Sequence, residues 1–126
     1  MSKTIINTPN APAPIGPYSQ AVSVNEMLYV SGQIAIDPTT NELVQGDIKA
    51  EARQVMENLK AILSEAGVDF SYVVKTTIFL ADMADFAAVN EVYGEYFAEY
   101  PPARETVAVS TLPKNVNVEI SCIAAM

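Results

Sequence analysis

Apolar and polar positions alternate along the first half of the chain. Residues 21–32, AVSVNEMLYVSG, alternate on both sides of Asn25-Glu26, and this predicts a hairpin of two strands. The pattern continues through GQIAIDPTTNEL and breaks at residues 37–39, Asp-Pro-Thr, a composition typical of a turn. This part of the chain is therefore predicted to form β-sheet.

After residue 46 the apolar period changes to that of a helix. One apolar stripe, with spacings of four and three, predicts a helix that begins after Asp47 and ends at Gly67. Its members are Ile48, Ala52, Val55, Leu59, Ile62 and Ala66, with Met56 and Leu63 beside them. A second helix is predicted from Asp85, and Pro101-Pro102 are expected to end it. Its apolar face consists of Phe86, Val89, Tyr93 and Phe97.

The remaining apolar runs predict strands. YVVKTTIFL at residues 72–80 is β-branched and aromatic, and ETVAVSTL and VNVEISCIAA flank a turn at residues 113–115. Two helices cannot cover both faces of so many strands, so they are expected to pack on one face of a mixed sheet, as an α+β two-layer domain. The other face must then be covered by something, and self-association is the simplest answer. The 126 residues suffice for a single domain over 1–126.

Composition excludes several classes of function. The chain has no histidine and a single cysteine, which removes Ser-His-Asp triads, Cys-His dyads and the usual metal sites. It has no Gly-rich phosphate-binding loop, and its net charge of −8 disfavours nucleic acid as a partner. No apolar run is long enough to span a membrane, and the first residues do not resemble a signal peptide, so a cytoplasmic protein is expected.

Two charged residues stand in apolar strand sequence. Arg104 follows Pro101-Pro102 and precedes an apolar strand, so its guanidinium is expected at a sheet edge in a fixed direction, where it suits bidentate binding of a carboxylate. Glu119 lies within VNVEISCIAA, and in a cleft its burial would raise its pKa and allow proton exchange with water or a substrate. The alternatives are a surface arginine at a strand start and a solvent-facing glutamate.

Three polar residues are weaker candidates. Tyr18 in GPYSQ and Ser31 in YVSGQ could supply a ring wall and hydroxyl hydrogen bonds to a ligand. Asn90 lies on the second helix and could reach a neighbouring loop. Each also has an ordinary structural interpretation, as a locally bonded turn or strand-end residue or as a tolerated helix asparagine.

Several stretches together resemble the RidA/YjgF family, the reactive intermediate deaminases. They run in order along essentially the whole chain: IGPYSQAV, VSGQI, NLKAILSEAG, VVKTTIFLADMADFAAVNEVY, PPAR and LPKNVNVEISCIA. The resemblance implies a chorismate-mutase-like α+β domain, assembled as a homotrimer with sites between subunits. It also implies hydrolysis of 2-iminopropanoate, 2-iminobutanoate and their enamine tautomers, which pyridoxal-phosphate enzymes release, to 2-oxo acids and ammonia. No cofactor or metal is expected, and the substrate is a small carboxylate.

The resemblance also assigns roles to residues. Arg104 matches the arginine that binds the substrate carboxylate, and Glu119 matches the glutamate proposed to orient or activate water. The other matches to substrate-binding positions are Tyr18, Ser31, Gly32 and Asn90.

One position departs from the family pattern, and two other functions remain open. Thr106 stands where many members have cysteine, so thiol attack is not expected, and the position would offer its hydroxyl and backbone carbonyl. The main alternative is a non-catalytic trimer that binds small acids such as 2-oxobutanoate for regulation. An endoribonuclease or translation inhibitor ranks last because of the charge and the missing histidine.

Overall fold

Eight β-strands and two α-helices form over residues 2–126, the part of the chain that the computed structural model describes. In chain order they are β1 Thr4–Ile6, β2 Ala21–Val24, β3 Met27–Gln33, β4 Ile36–Asp37, β5 Glu42–Leu43, α1 Ile48–Glu65, β6 Val73–Leu80, α2 Phe86–Tyr96, β7 Ala103–Ala108 and β8 Val118–Ala125. None of the helices in residues 2–126 is long and apolar enough to cross a membrane.

Six of the strands form one mixed sheet in the order β1-β2-β3-β8-β6-β7. Its neighbouring strands are antiparallel except for β6 and β7, which are parallel and connected through α2. Strand β7 is therefore an edge strand. The short strands β4 and β5 pair separately as a second hairpin.

The predicted turn between β2 and β3 is confirmed. Asn25 and Glu26 have positive φ values of 51° and 64°, and Val24 pairs with Met27 on either side of them. Two consecutive left-handed residues make the type I′ turn whose twist matches that of a two-stranded hairpin. Asparagine adopts this conformation readily, which explains why the sequence signal was clear at this point.

Helix α1 begins and ends where its sequence pattern predicts. The Asp47 side chain accepts a hydrogen bond from the Lys49 backbone N–H, and Gly67 after the helix has a φ of 84°. The stripe of apolar residues packs against alternate residues of the central strand β8, and all of it is buried except Ile48 and Ala66, which are partly buried. The buried residues of β8 are Val118, Ile120, Cys122 and Ala124. Each large apolar side chain buried in this layer contributes about 1.5–3 kcal/mol relative to exposure.

Both helices contribute to a single core on one face of the sheet, so the predicted α+β two-layer architecture is confirmed. The opposite face, called the open face below, carries the remaining alternate residues of the strands. Tyr29 on β3 is 46% exposed there and Val107 on β7 is 45% exposed. In the single chain this face has no second layer of helices among residues 2–126.

Three local features differ from the predictions. Strand β1 is absent from the sequence pattern, because three residues are too few to show a period. Helix α2 ends at Tyr96, ahead of the prolines, since Phe97 leaves the helical region with φ −125° and ψ 61° while its ring stays buried. Strand β7 begins at Ala103 and ends at Ala108, and its parallel pairing with β6 sets these limits.

Candidate functional site

A cleft on the open face brings together four of the residues that the sequence singled out. Its walls include Tyr18, Ser31, Gly32 and Glu119, together with Pro113 and two isoleucines. The residues come from the segment before β2, from β3 and from β8, and strands β3 and β8 are neighbours in the sheet. The cleft has a volume of about 370 Å³, enough for a small organic acid.

Glu119 is the carboxylate of this cleft. The alternation of β8 places Val118 and Ile120 in the core and Glu119 on the open face, where it is half-buried. Burial raises the pKa of the Glu119 carboxyl above its usual range. It can therefore take up and release a proton closer to neutral pH than an exposed glutamate does.

Gly32 is required by the close approach of Glu119. A Cβ atom at position 32 would lie 2.5 Å from Glu119 Oε2 and 2.9 Å from its Cδ. The absence of a side chain thus allows β3 to pass directly beneath the carboxylate.

For any reaction in which Glu119 takes part, we expect Gly32→Ala to remove most of the activity while the fold survives. The added methyl group must displace the Glu119 side chain, and a displacement of about 1 Å can cost roughly 10²-fold in rate. Steady-state kinetics and circular dichroism on the same preparation would measure both effects. Gly94→Ala is a matched control, since a Cβ atom there meets nothing within 4 Å. Equal activities of the two variants would contradict a steric requirement for glycine beside Glu119.

Tyr18 and Ser31 frame the cleft with polar atoms that have local partners. The Tyr18 hydroxyl accepts a hydrogen bond from the Ile15 N–H at 3.3 Å, and its ring is 49% exposed. The Ser31 hydroxyl donates to the Ser19 carbonyl at 2.6 Å. These bonds fix the two residues in place, so Tyr18 offers a ring wall and Ser31 a short polar edge.

The segment that carries Tyr18 is held by a buried glutamine that the sequence pattern did not single out. Gln20 is 2% exposed, and its side chain bonds the N–H and C=O of Thr8 and the carbonyls of Ala11 and Pro12. Its own carbonyl accepts from the Ser31 N–H at 2.9 Å. The only sequence signal for this role of Gln20 is its position directly before Ala21, the first residue of an apolar strand.

Arg104 lies in a separate cluster on β7 and α2. Its Nη1 donates to Asn90 Oδ1 at 2.7 Å. The guanidinium carbon lies 4.9 Å from the centre of the Tyr93 ring and 5.6 Å from that of Phe86. One hydrogen bond and two aromatic contacts therefore hold the guanidinium. The bond to Asn90 uses only one of the five N–H donors of Arg104.

The aromatic support of Arg104 is itself fixed. The Tyr93 hydroxyl and Thr76 Oγ1 form a buried hydrogen bond of 2.7 Å. Burial raises the pKa of Tyr93, so the phenol stays neutral under the guanidinium. The sequence placed Tyr93 on the apolar face of its helix but gave no sign of this second role.

The positive charge of Arg104 is not neutralised by the contacts that hold it. Three other cations pair with carboxylates at 2.6–2.7 Å: Lys49 with Glu91, Arg53 with Glu95 and Lys75 with Glu105. The contacts of Arg104, by comparison, are an amide oxygen and two aromatic rings. The guanidinium is therefore available to an anion.

Thr106 shares the helix-side face of β7 with Arg104. The parallel register pairs Arg104 with Thr76 and Thr106 with Ile78, two residues whose side chains are buried under the helices. The Thr106 hydroxyl oxygen is buried and has no hydrogen-bond partner among the residues that the structure describes. This is uncommon for a buried polar atom and marks the position as unsatisfied in the isolated chain.

The two clusters lie on opposite faces of the sheet. Arg104 pairs with Thr76 on the helix side, whereas Glu119 pairs with Phe79 on the open face. Strands β7 and β8 are also separated by β6, a lateral distance of about 10 Å. One chain therefore brings Tyr18, Ser31, Gly32 and Glu119 together, and separately Asn90, Arg104 and Thr106, but it does not join the two groups.

Comparison with known proteins identifies the family. The sequence model of the family described as Endoribonuclease L-PSP matches residues 8–126. The chain belongs to this family, the RidA/YjgF family. It is 58% identical to Protein DfrA of Myxococcus xanthus over 126 residues, which cover 98% of this chain and 96% of the relative. The 2-iminobutanoate/2-iminopropanoate deaminase of Mus musculus is 51% identical over 122 residues, which cover 97% and 90% of the two chains.

A solved structure of a relative extends the comparison to ligand binding. The crystal structure of E. coli TdcF with bound serine superposes with a TM-score of 0.93 at 43% identity, covering 98% of each chain. The RidA/YjgF family thus includes members named as imine deaminases and at least one that binds a small amino acid.

Proposed function

We propose that this protein hydrolyses reactive 2-imino acids, 2-iminobutanoate and 2-iminopropanoate, and their enamine tautomers to 2-oxo acids and ammonia. The observation that carries the proposal is the pair of complementary clusters, one with a guanidinium not neutralised by its contacts and one with a half-buried carboxylate in a cleft. The mouse relative is named a 2-iminobutanoate/2-iminopropanoate deaminase, which supports the substrate class. Each functional group of a small imino acid then has a protein group suited to it: Arg104 for the carboxylate and Glu119 for the water that attacks the C=N carbon.

Arg104 binds the substrate carboxylate in this proposal. Its fork of donors, held from one side by Asn90 and from below by aromatic rings, can bind the two carboxylate oxygens together. Each charge-assisted bond contributes about 1.5–3 kcal/mol. That local attraction is needed because the chain as a whole carries a net charge of −8.

Glu119 positions and deprotonates the attacking water. The water oxygen forms a bond to the carbon of the protonated imine, one water proton passes to Glu119, and the π electrons of the C=N bond move to nitrogen, which becomes a neutral amine. Glu119 then returns its proton to that nitrogen, the C–N bond breaks with its electron pair leaving on ammonia, and the proton of the new hydroxyl passes to Glu119 and on to water as the carbonyl forms. A carboxyl whose pKa is raised by burial suits this exchange near neutral pH. Each of these steps is carried by the substrate, a water molecule and Glu119.

The remaining site residues shape the pocket. Tyr18 forms a ring wall, and the short Ser31-Gly32 edge leaves space for the substrate beside Glu119. Asn90 orients the guanidinium, and Thr106 offers its hydroxyl or backbone carbonyl near it. A threonine without an adjacent base is a poor nucleophile, so no covalent intermediate is proposed.

The complete site forms between subunits of a homotrimer. One small acid cannot touch Arg104 and Glu119 of the same chain, because they lie on opposite faces of the sheet. In a cyclic assembly, the edge strand β7 of one protomer can approach the open-face cleft of the next. Such contacts would also cover exposed apolar residues of the open face, among them Tyr29 and Val107.

The test is ammonia and 2-oxo acid release from an imine generated in the same tube by a pyridoxal-phosphate dehydratase acting on threonine. We expect the wild-type protein to accelerate release above the protein-free rate. As the pH is lowered, the acceleration should begin to fall at a pH above 4.5, the usual pKa of glutamate. The reason is that the raised pKa of Glu119 leaves less of its carboxylate form at that pH. Glu119→Gln should lose about 10²–10⁴-fold and show no such acid limb.

A non-catalytic module that binds 2-oxobutanoate or similar acids is the second candidate. The bound serine in E. coli TdcF favours it, since binding of a small acid requires no chemistry. An unchanged release rate together with oxo-acid binding by calorimetry would decide for it and against the deaminase. RNA cleavage, which the family description names, is opposed by the net charge and by the lack of histidine, and salt-dependent RNA binding would support it.

A further inference from the structure

A buried carboxylate links the first turn of α1 to the beginning of β8. Glu51 is 3% exposed, although it belongs to a residue type that is seldom fully buried. Its Oε2 accepts the Asn117 backbone N–H at 2.8 Å, and its Oε1 accepts the Asn117 Nδ2–H at 2.9 Å. Two parallel bonds thus join residues that are 66 positions apart in the chain.

Asn117 is fixed on its other side by the sheet. The Ala81 N–H donates to the Asn117 carbonyl at 3.0 Å, continuing the pairing of Leu80 with Val118. The backbone at Asn117 is therefore held between helix α1 and strand β6. Glu119 follows two residues later.

The turn that precedes Asn117 has an unfavourable backbone conformation at one residue. Lys114 has a φ of 55°, in the left-handed region that a lysine adopts at a cost, and Asn115 beside it has a φ of 57°. Pro113, at the start of this turn, lines the cleft beside Glu119. A turn of this kind keeps one conformation only where its surroundings hold it, and the bonds to Glu51 fix its C-terminal end.

We propose that Glu51 is a positioning residue that acts through Asn117 on the catalytic carboxylate. By fixing the end of the 113–117 turn, Glu51 sets the position of Pro113 and Glu119 in the cleft. The inference rests on the proposed deaminase function. Because Arg104 is on other elements, loss of the Glu51–Asn117 bonds is expected to impair the chemical step more than carboxylate binding.

Exchange of the two side chains tests the proposal. In Asn117→Asp two carboxylates face each other, whereas in Glu51→Gln the Asn117 side-chain amide can turn over and present its oxygen to the new NH₂ group. In the double variant, the carbonyl oxygen of the new glutamine side chain can accept the backbone N–H of residue 117. The NH₂ group of that glutamine can donate to the carboxylate of the new aspartate. Both hydrogen bonds and the net charge are then restored.

We expect Asn117→Asp to lower kcat about tenfold with KM changed less than about twofold, and Glu51→Gln and the double variant to retain nearly wild-type kcat. Asn117→Ala keeps the backbone bond and should fold, with a smaller loss in kcat of about threefold. Val55→Ala, a buried change on the same helix, serves as a control for general destabilisation and should leave kcat unchanged. Thermal unfolding of every variant would show that all are folded at the assay temperature.

Hydrogen exchange at the amides of residues 117–119 gives a readout that needs no catalysis. Exchange at these amides should accelerate in Asn117→Asp and return to the wild-type rate in the double variant. Inactivity of the wild type would reject the deaminase proposal and leave this exchange pattern intact. The positioning role would be overturned by an unchanged kcat in Asn117→Ala, by an equal kcat loss in Val55→Ala, or by failure of the double variant to recover. If Asn117→Asp does not fold, Asn117→Ala and the double variant still decide.

Discussion

Arg104→Ala is expected to lower kcat/KM for 2-iminobutanoate by about 10²–10⁴-fold, the loss that corresponds to two charge-assisted hydrogen bonds to one carboxylate. Arg104→Lys should retain a positive charge but lose the planar fork and its stacking on Tyr93, and we expect it to remain about tenfold below wild type. The measurement is steady-state kinetics with the imine generated in the assay.

Arg53→Ala is the matched control for Arg104→Ala. Both substitutions remove one positive charge from a chain of net charge −8, but Arg53 pairs with Glu95 on the surface of α1 and α2. If general electrostatics governed substrate attraction, the two variants would lose similar activity. We expect Arg53→Ala to retain wild-type kcat/KM, and comparable losses would remove the special role of Arg104.

The contacts of Arg104 explain why this arginine suits anion binding in an acidic protein. Cations that pair with carboxylates, such as Arg53 with Glu95, have little attraction left for a ligand. Arg104 is held instead by the neutral Asn90 and by aromatic rings, so its orientation is fixed without loss of its charge. A local positive site can thus exist within a repulsive overall field.

Local signals in the sequence predicted the elements that depend on local physics. The Asn25-Glu26 turn, the Asp47 cap and the glycine after α1 each require a particular residue type at one position, and the structure has all three. The predicted end of α2 and limits of β7 were wrong, since they depend on burial of Phe97 and on pairing with β6. Tertiary contacts decide these boundaries, and a single sequence does not display them.

In the candidate site, too, local sequence predicts some features, and tertiary contacts decide the others. Alternation along β8 is sufficient to place Glu119 and Ile120 on opposite faces. The face of Arg104 depends on the parallel register between β6 and β7, which no local pattern encodes. The buried roles of Gln20 and Glu51 were likewise missed, because polar residues in strand-start and helix-start positions are usually exposed.

Two inactive variants should restore activity when they assemble together. Arg104→Ala leaves the Glu119 cleft intact, and Glu119→Gln leaves the Arg104 cluster intact. In an oligomer with sites between subunits, each junction between two protomers takes Arg104 from one and Glu119 from the other. A junction is intact when both of these residues are wild type. Random assembly from equal amounts makes about one quarter of the junctions intact. We therefore expect about one quarter of wild-type activity from the co-expressed mixture, and about one third after purification through a different tag on each variant, because every mixed trimer has one intact junction of three.

The size of this recovery distinguishes the two possible locations of the site. If Arg104 and Glu119 acted within one chain, every chain in the mixture would lack one of them, and the activity would equal the average of the two inactive parents. Co-expression of Gly32→Ala with Glu119→Gln is the control, because both changes damage the cleft half and leave no intact junction. Recovery in the first pair alone requires a substrate that contacts β7 of one protomer and β8 of another. The opposite orientation of those two residues across the sheet makes this the arrangement in which both can reach one small acid.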